Sequence, residues 1–138
     1  MSDSRKDVLL KALESEAGSE SVDPSTLFTD DVVGWSPLAT VSGLAAVKEL
    51  SAVHDMGFSN VALSIRGLDE VGNKAIAEWV IDADHTGPFV LSEDAALEAT
   101  GRHIQLAGAT VADFRDGKIR SYRTYFDDIS LIEQLVGD

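Results

Sequence analysis

The sequence contains no cysteine. It can therefore form no disulfide, thiolate nucleophile or cysteine-based metal site. Proline is scarce, at 3 of 138 residues, and basic residues are few, 11 Lys and Arg against 24 Asp and Glu. The resulting formal charge of −13 repels phosphate backbones and anionic lipid headgroups, so neither nucleic acid nor a membrane is expected as a partner. Long apolar runs are missing too; none approaches the ~18 residues that a bilayer-spanning helix needs. Residues Met1 to Asp7 are polar and charged and lack the apolar core of a secretory signal, so a cytoplasmic location is expected.

What is present is globular. Hydrophobic residues make up 44% of the chain, which rules out disorder, and 138 residues suit one domain with one core. Neither an internal repeat nor a linker interrupts it, so residues 1–138 are read as a single domain.

Helical spacing of Val8, Leu9, Ala12, Leu13 and Glu16, all but the last apolar, predicts a helix over about 3–17, with Gly18 at its C-terminal cap. Asp23-Pro24 opens a short second helix over 25–28, since proline costs nothing in a first turn. A brief strand follows over 32–36, stopped by Pro37. Ser42 caps a third helix over 43–54, whose stripe is Leu44, Val47, Leu50 and Val53. From there the apolar residues alternate with period two. Strands are predicted over 58–68, 75–85, 102–114 and 118–126, with turns at Val71-Gly72-Asn73 and Arg115-Asp116-Gly117. A short helix over 127–136 closes the chain.

Helices followed by a meander of antiparallel strands argue for an α+β fold with helices on one sheet face. Trp79 and Ile81 on one face of a strand, and Ile76 and Val80 on the other, imply that both faces are covered. Helices account for one. A second copy of the chain accounts for the other, so a homodimer through the outer sheet face is expected.

Four stretches carry a family likeness: His85-Thr86-Gly87-Pro88-Phe89, Ala99-Thr100-Gly101-Arg102, Phe114-Arg115-Asp116-Gly117-Lys118-Ile119 and Tyr122-Arg123-Thr124-Tyr125-Phe126-Asp127, followed by Leu131-Ile132-Glu133-Gln134-Leu135. In this order the chain resembles the SnoaL-like polyketide cyclase family of the nuclear transport factor 2-like superfamily, from about Val8 to Gly137. The resemblance implies a curved antiparallel sheet of about six strands, about three N-terminal helices packed on its concave face, and a short C-terminal helix. It also implies a conical pocket and a dimer. The superfamily includes ester cyclases, ketosteroid isomerases, limonene epoxide hydrolases and proteins that only bind or assemble, so the fold does not decide the function.

Carried over residue by residue, the cyclase pattern loses its acid. The aspartate that removes a proton beside a carbonyl falls on Thr124, and its histidine partner falls on Thr110. The epoxide hydrolase set falls on Val33, Trp35, Trp79, Ile81 and Thr124 and keeps none of its water-activating chemistry. A pocket wall of Trp35, Trp79, Ile81, Tyr122, Thr124 and Phe126 remains, suited to an apolar small molecule. The two tryptophans could equally fill the core.

Two titratable residues are candidate bases. His85 shares strand parity with Trp79 and Ile81 and titrates near neutral pH; a hydrogen-bonded role at a strand end is its other reading. Asp127 is either a base at the pocket edge or, with Asp128, an N-cap of the last helix. Ser130 and Glu133 form a competing capping box. Arg123 and Tyr125 belong to the outer face unless a bulge shifts them inward. His54 lies at a helix end and His103 on the opposite strand face. Alternation splits Asp82, Asp84 and His85 between faces, so no metal is expected, and no other cofactor. The acidic stretch 92–98 is a solvated loop, a helical turn or a lid. Two functions stay open: an acid–base isomerase or cyclase of a polyketide- or steroid-like carbonyl compound, and a non-catalytic dimeric ligand-binding or assembly protein. In the first, His85 or Asp127 is the base and Tyr122 with Thr124 are donors.

Overall fold

Strands dominate because the second half of the chain alternates apolar and polar residues. In the computed structural model, residues 4–16, 22–92 and 95–136 are described, those at 50–56 and 90–92 through their backbone only. The elements are α1 (Arg5–Glu16), a 3₁₀ turn (Pro24–Thr26), β1 (Phe28–Trp35), β2 (Thr40–Ser42), α2 (Leu44–Gly57), β3 (Phe58–Val71), β4 (Lys74–His85), β5 (Phe89–Ser92), β6 (Ala95–Leu97), β7 (His103–Arg115), β8 (Lys118–Phe126) and α3 (Asp128–Val136).

Six strands form one sheet in the order β2-β1-β8-β7-β4-β3. Its long members, β3, β4, β7 and β8, are the expected antiparallel meander. The sheet is mixed rather than antiparallel, however, because β1 runs parallel to β8. A parallel pair needs a long crossover, and here almost the whole chain supplies it. The N-terminal helices also differ from expectation. The second is a single 3₁₀ turn, opened by the Asp23 carboxylate accepting from Ser25 N–H, and Phe28 already belongs to β1. Of the expected three, α1 and α2 are full helices. Gly43, at φ 90°, caps α2 in place of Ser42, which ends β2. The acidic stretch contributes β6 to a small hairpin with β5. Gly18, the His54 side chain, Glu93 and Asp94 lie outside what is described.

One face of the sheet is apolar. Ala75, Ala77, Trp79 and Ala83 of β4 and Ile104, Ala112 and Phe114 of β7 are buried there. Val8, Leu9, Ala12 and Leu13 of α1 cover one part of that face, and Leu131 and Leu135 of α3 cover another. Gln134 of α3 completes the backbone of β7, with its amide oxygen accepting from Gln105 N–H (2.8 Å) and its amide nitrogen donating to Gln105 C=O (2.9 Å). The two core clusters share Ile81, Leu106 and Phe126 at their margins. No described helix is long and apolar enough to cross a membrane.

Candidate functional site

A cavity of about 200 Å³ opens where the two core clusters meet, walled by the sheet and closed by residues of α1, α3 and β5. All six residues read from the sequence as a wall line it: Trp35, Trp79, Ile81, Tyr122, Thr124 and Phe126. Their placement depends on one irregularity. The β7–β8 register pairs Asp113 with Ser121 but Phe114 with Ile119, which leaves Arg120 as an extra residue. A bulge of this kind reverses strand parity. Ile119 therefore points inward before it and Tyr122, Thr124 and Phe126 point inward after it. Arg123 and Tyr125 stay on the outer face, where Arg123 donates to the Asp113 carboxylate at 3.1 Å. Trp35 differs from the other five. It ends β1, is 41% exposed and packs on Tyr125 with ring centroids 5.3 Å apart, so it forms the rim.

Two glycines seat the inner aromatics. Gly108 lies directly across from Trp79, and a Cβ there would meet the indole ring at 2.5 Å. Gly34 lies across from Tyr122, and a Cβ there would meet Cζ at 2.2 Å. Both rings therefore occupy space that a side chain at the facing position would fill. An isolated glycine within a strand pattern signals such an approach, but only the register tells which ring it serves.

The floor is polar in one place. Trp79 Nε1–H donates to Thr110 Oγ1 (3.0 Å), and Thr110 Oγ1 lies 3.1 Å from Thr124 Oγ1. An indole nitrogen can only donate. If Thr124 also donated to Thr110, the hydrogen of a hydroxyl in a residue only 3% exposed would lose this partner. A buried donor without an acceptor costs about 1–3 kcal/mol. The favoured chain therefore runs from Trp79 to Thr110 to Thr124, and leaves the Thr124 hydrogen for the cavity. Burial, with a smaller contribution from the negative charge of Glu16, pushes the Tyr122 phenol well above its ordinary pKa of 10.0. It stays protonated at neutral pH and remains a donor.

Neither candidate base is part of this wall. His85 is completely buried, with its ring 5.6 Å from that of Phe58. Thr100 N–H donates to its Nδ1 at 3.2 Å, which places the ring proton on Nε2, and Nε2 has no partner among the described residues. Burial pushes the imidazole below 6.5, against a weaker upward pull from the Gly87 backbone. Asp127 is exposed, and its carboxylate accepts from Ser130 N–H at 3.0 Å, capping α3. His103 lies on the outer face between Asp84 (2.9 Å) and Asp82 (3.1 Å), whose carboxylates raise its pKa above 6.5. Among the described residues no cluster of His, Asp or Glu could hold a metal ion.

Sequence reasoning missed Glu16. It is the one carboxylate among the described lining residues, which include no Lys, Arg or His. Helical spacing already places it on the face of Val8, Leu9, Ala12 and Leu13, but spacing alone does not tell that this end of the face borders a cavity.

No curated protein matches the chain. Solved structures share its fold. A Jannaschia protein described as a candidate SnoaL-like polyketide cyclase superposes with a TM-score of 0.84 at 14% identity, covering 97% of this chain and 92% of that one. AclR of Streptomyces galilaeus, described as a candidate hydroxylase, gives 0.77 at 18% identity, covering 96% and 95%. A Catenulispora acidiphila protein with a ketosteroid isomerase-like fold, solved with trimethylamine, gives 0.72 at 19% identity, covering 94% and 92%. In sequence, residues 19–135 match the family model for SnoaL-like polyketide cyclases. The chain belongs to the SnoaL-like polyketide cyclase family.

Proposed function

We propose that the protein binds an apolar small molecule in this cavity and holds it without acid–base turnover. One observation carries the reading: the sheet side of the described lining offers hydroxyls and aromatic rings but neither a carboxylate nor an imidazole, and the one lining carboxylate, Glu16, stands at the end of α1. Proton abstraction beside a carbonyl needs a base within hydrogen-bond reach of the carbon acid. His85 and Asp127 are engaged elsewhere, and a threonine hydroxyl is no base near neutral pH. A homodimer through the outer sheet face belongs to the same reading, since Val33, Trp35 and Tyr125 are exposed apolar residues at that face. Sedimentation of a monomer at micromolar concentration would remove the dimer from it.

Glu16 favours a second reading, an isomerase or cyclase of a carbonyl compound whose base enters from α1 rather than from the sheet. Family membership keeps that reading in view. Both are tested with 1-indanone in deuterated buffer, followed by NMR. The binding reading expects saturable broadening of the ligand signals and no protein-dependent exchange at the carbon beside the carbonyl. Accelerated exchange that Glu16→Gln abolishes would replace it with the enzyme reading.

A further inference from the structure

The direction of the hydrogen-bond chain has a consequence for the ligand. The chain starts at a group that can only donate, passes through Thr110 and ends at Thr124. Each hydroxyl that accepts a hydrogen bond becomes a better donor. The Thr124 hydrogen is thus polarised by two preceding donors, and the Tyr122 hydroxyl on the same strand is a second donor. Around them, apart from Thr110, Ser36 and Glu16, the described wall is apolar and aromatic.

A wall of this kind discriminates by charge and by polarity. An anion would enter a protein of charge −13 and find no cation at the wall to pair with. An ammonium would find donors where it needs acceptors, although Glu16 lies among the lining residues. A hydrocarbon would leave the Thr124 hydrogen without an acceptor, which carries a desolvation cost. A neutral molecule with an accepting oxygen pays none of these.

The geometry points to a ligand that is neutral and largely apolar and that places a hydrogen-bond-accepting oxygen, such as a ketone, against Thr124 at the end of the Trp79–Thr110–Thr124 chain. This rests on the binding reading above and adds the ligand's polarity to it. Thr124 then acts as a donor that orients the ligand, at the position where the family resemblance expects a proton-accepting carboxylate.

Three probes of one shape test it by calorimetry at neutral pH: 1-indanone as acceptor, indane as hydrocarbon and 1-aminoindane as cation. The wild-type protein is expected to prefer indanone to indane by about fivefold, the net worth of one neutral hydrogen bond. Thr124→Val should abolish that preference while leaving indane unchanged, and Thr124→Ser should restore it. The carbonyl stretch of bound indanone should lie at lower frequency in the wild type than in Thr124→Val, a signature that altered packing would not give. If Thr124→Val does not fold, Tyr122→Phe removes the second donor and should weaken indanone alone. Equal affinities for indanone and indane in the wild type would overturn the inference and leave the cavity as a binding site. Tightest binding of 1-aminoindane would overturn it in favour of a cation held by Glu16 and the aromatic rings. Saturable binding of none of the three would overturn the binding reading, and the inference with it.

Discussion

The polar groups that β4, β7 and β8 bring to the described cavity lining are an indole N–H and the hydroxyls of Thr110, Thr124 and Tyr122. On the other side of the same strands they are charges. Asp113 holds Lys74 and Arg123, and Asp82 and Asp84 hold His103. Period-two alternation separates the two sets by one residue at a time. Lys74 and Arg123 lower the Asp113 pKa despite some burial, so this carboxylate stays ionised through neutral pH. Burial dictates the difference. A charge inside would need a partner to offset its desolvation, whereas neutral donors need only one another. Outer pairs are screened by solvent and worth about 0–1 kcal/mol each. Changes to the cavity side should therefore cost more than changes of similar size outside.

The largest effect is expected at Gly108. An added methyl would lie 2.5 Å from the Trp79 ring and 2.7 Å from the Tyr125 carbonyl oxygen, and backbone cannot yield as a side chain can. Gly108→Ala should destabilise the fold by about 3 kcal/mol, the upper end of overpacking costs, read as a lowered urea midpoint at unchanged slope. Gly34→Ala sharpens the comparison. Its methyl would meet only the far end of the Tyr122 ring, which can swing into the cavity. It should cost less stability but reduce indanone binding. A larger loss at Gly34 than at Gly108 would mean that Trp79 is not seated on β7.

Thr110→Val comes next. It preserves shape and removes the acceptor of the Trp79 N–H, at an expected cost of about 1–3 kcal/mol. Arg123→Met, which removes an outer-face pair with Asp113, should stay within about 1 kcal/mol. Equal costs for the two would break the distinction between the faces.

Much of this arrangement was legible in the sequence because alternation is local. The strand over 118–126 matches its observed bounds, and Trp79, Ile81, Tyr122, Thr124 and Phe126 follow from parity within their strands, whereas Trp35 shares the parity of exposed Val33 and reaches the cavity only as its rim. Asp127 as an N-cap was one of two stated readings and needed only its sequence neighbours. What escaped was long-range. The parallel pairing of β1 with β8 joins residues some ninety positions apart, which no periodicity encodes. Gly34 and Gly108 are visible as strand glycines, but their aromatic partners appear only once the register is fixed. Parity also gave His85 its inward direction, yet not the Thr100 backbone and Phe58 ring that enclose it there.

The smallest effects should separate the faces by sign. His85 lies inside with a lowered pKa, and His103 lies outside with a raised one. Unfolded, both titrate near 6.5. For His85 the folded state resists the proton, so its contribution is complete above 6.5 and is lost as pH falls from there towards the lowered folded value. For His103 the folded state favours the proton, so its contribution is complete below 6.5 and is lost as pH rises through the raised folded value. Urea midpoints should therefore decline on both sides of a maximum near neutrality, before the Asp carboxylates titrate at lower pH. His103→Gln should flatten the alkaline decline alone. Salt at about 1 M shortens the screening length to about 3 Å, and should shrink the alkaline decline while sparing the acid one, which comes from burial. An acid decline that salt also removes would mean that His85 is governed by charge rather than by its enclosure.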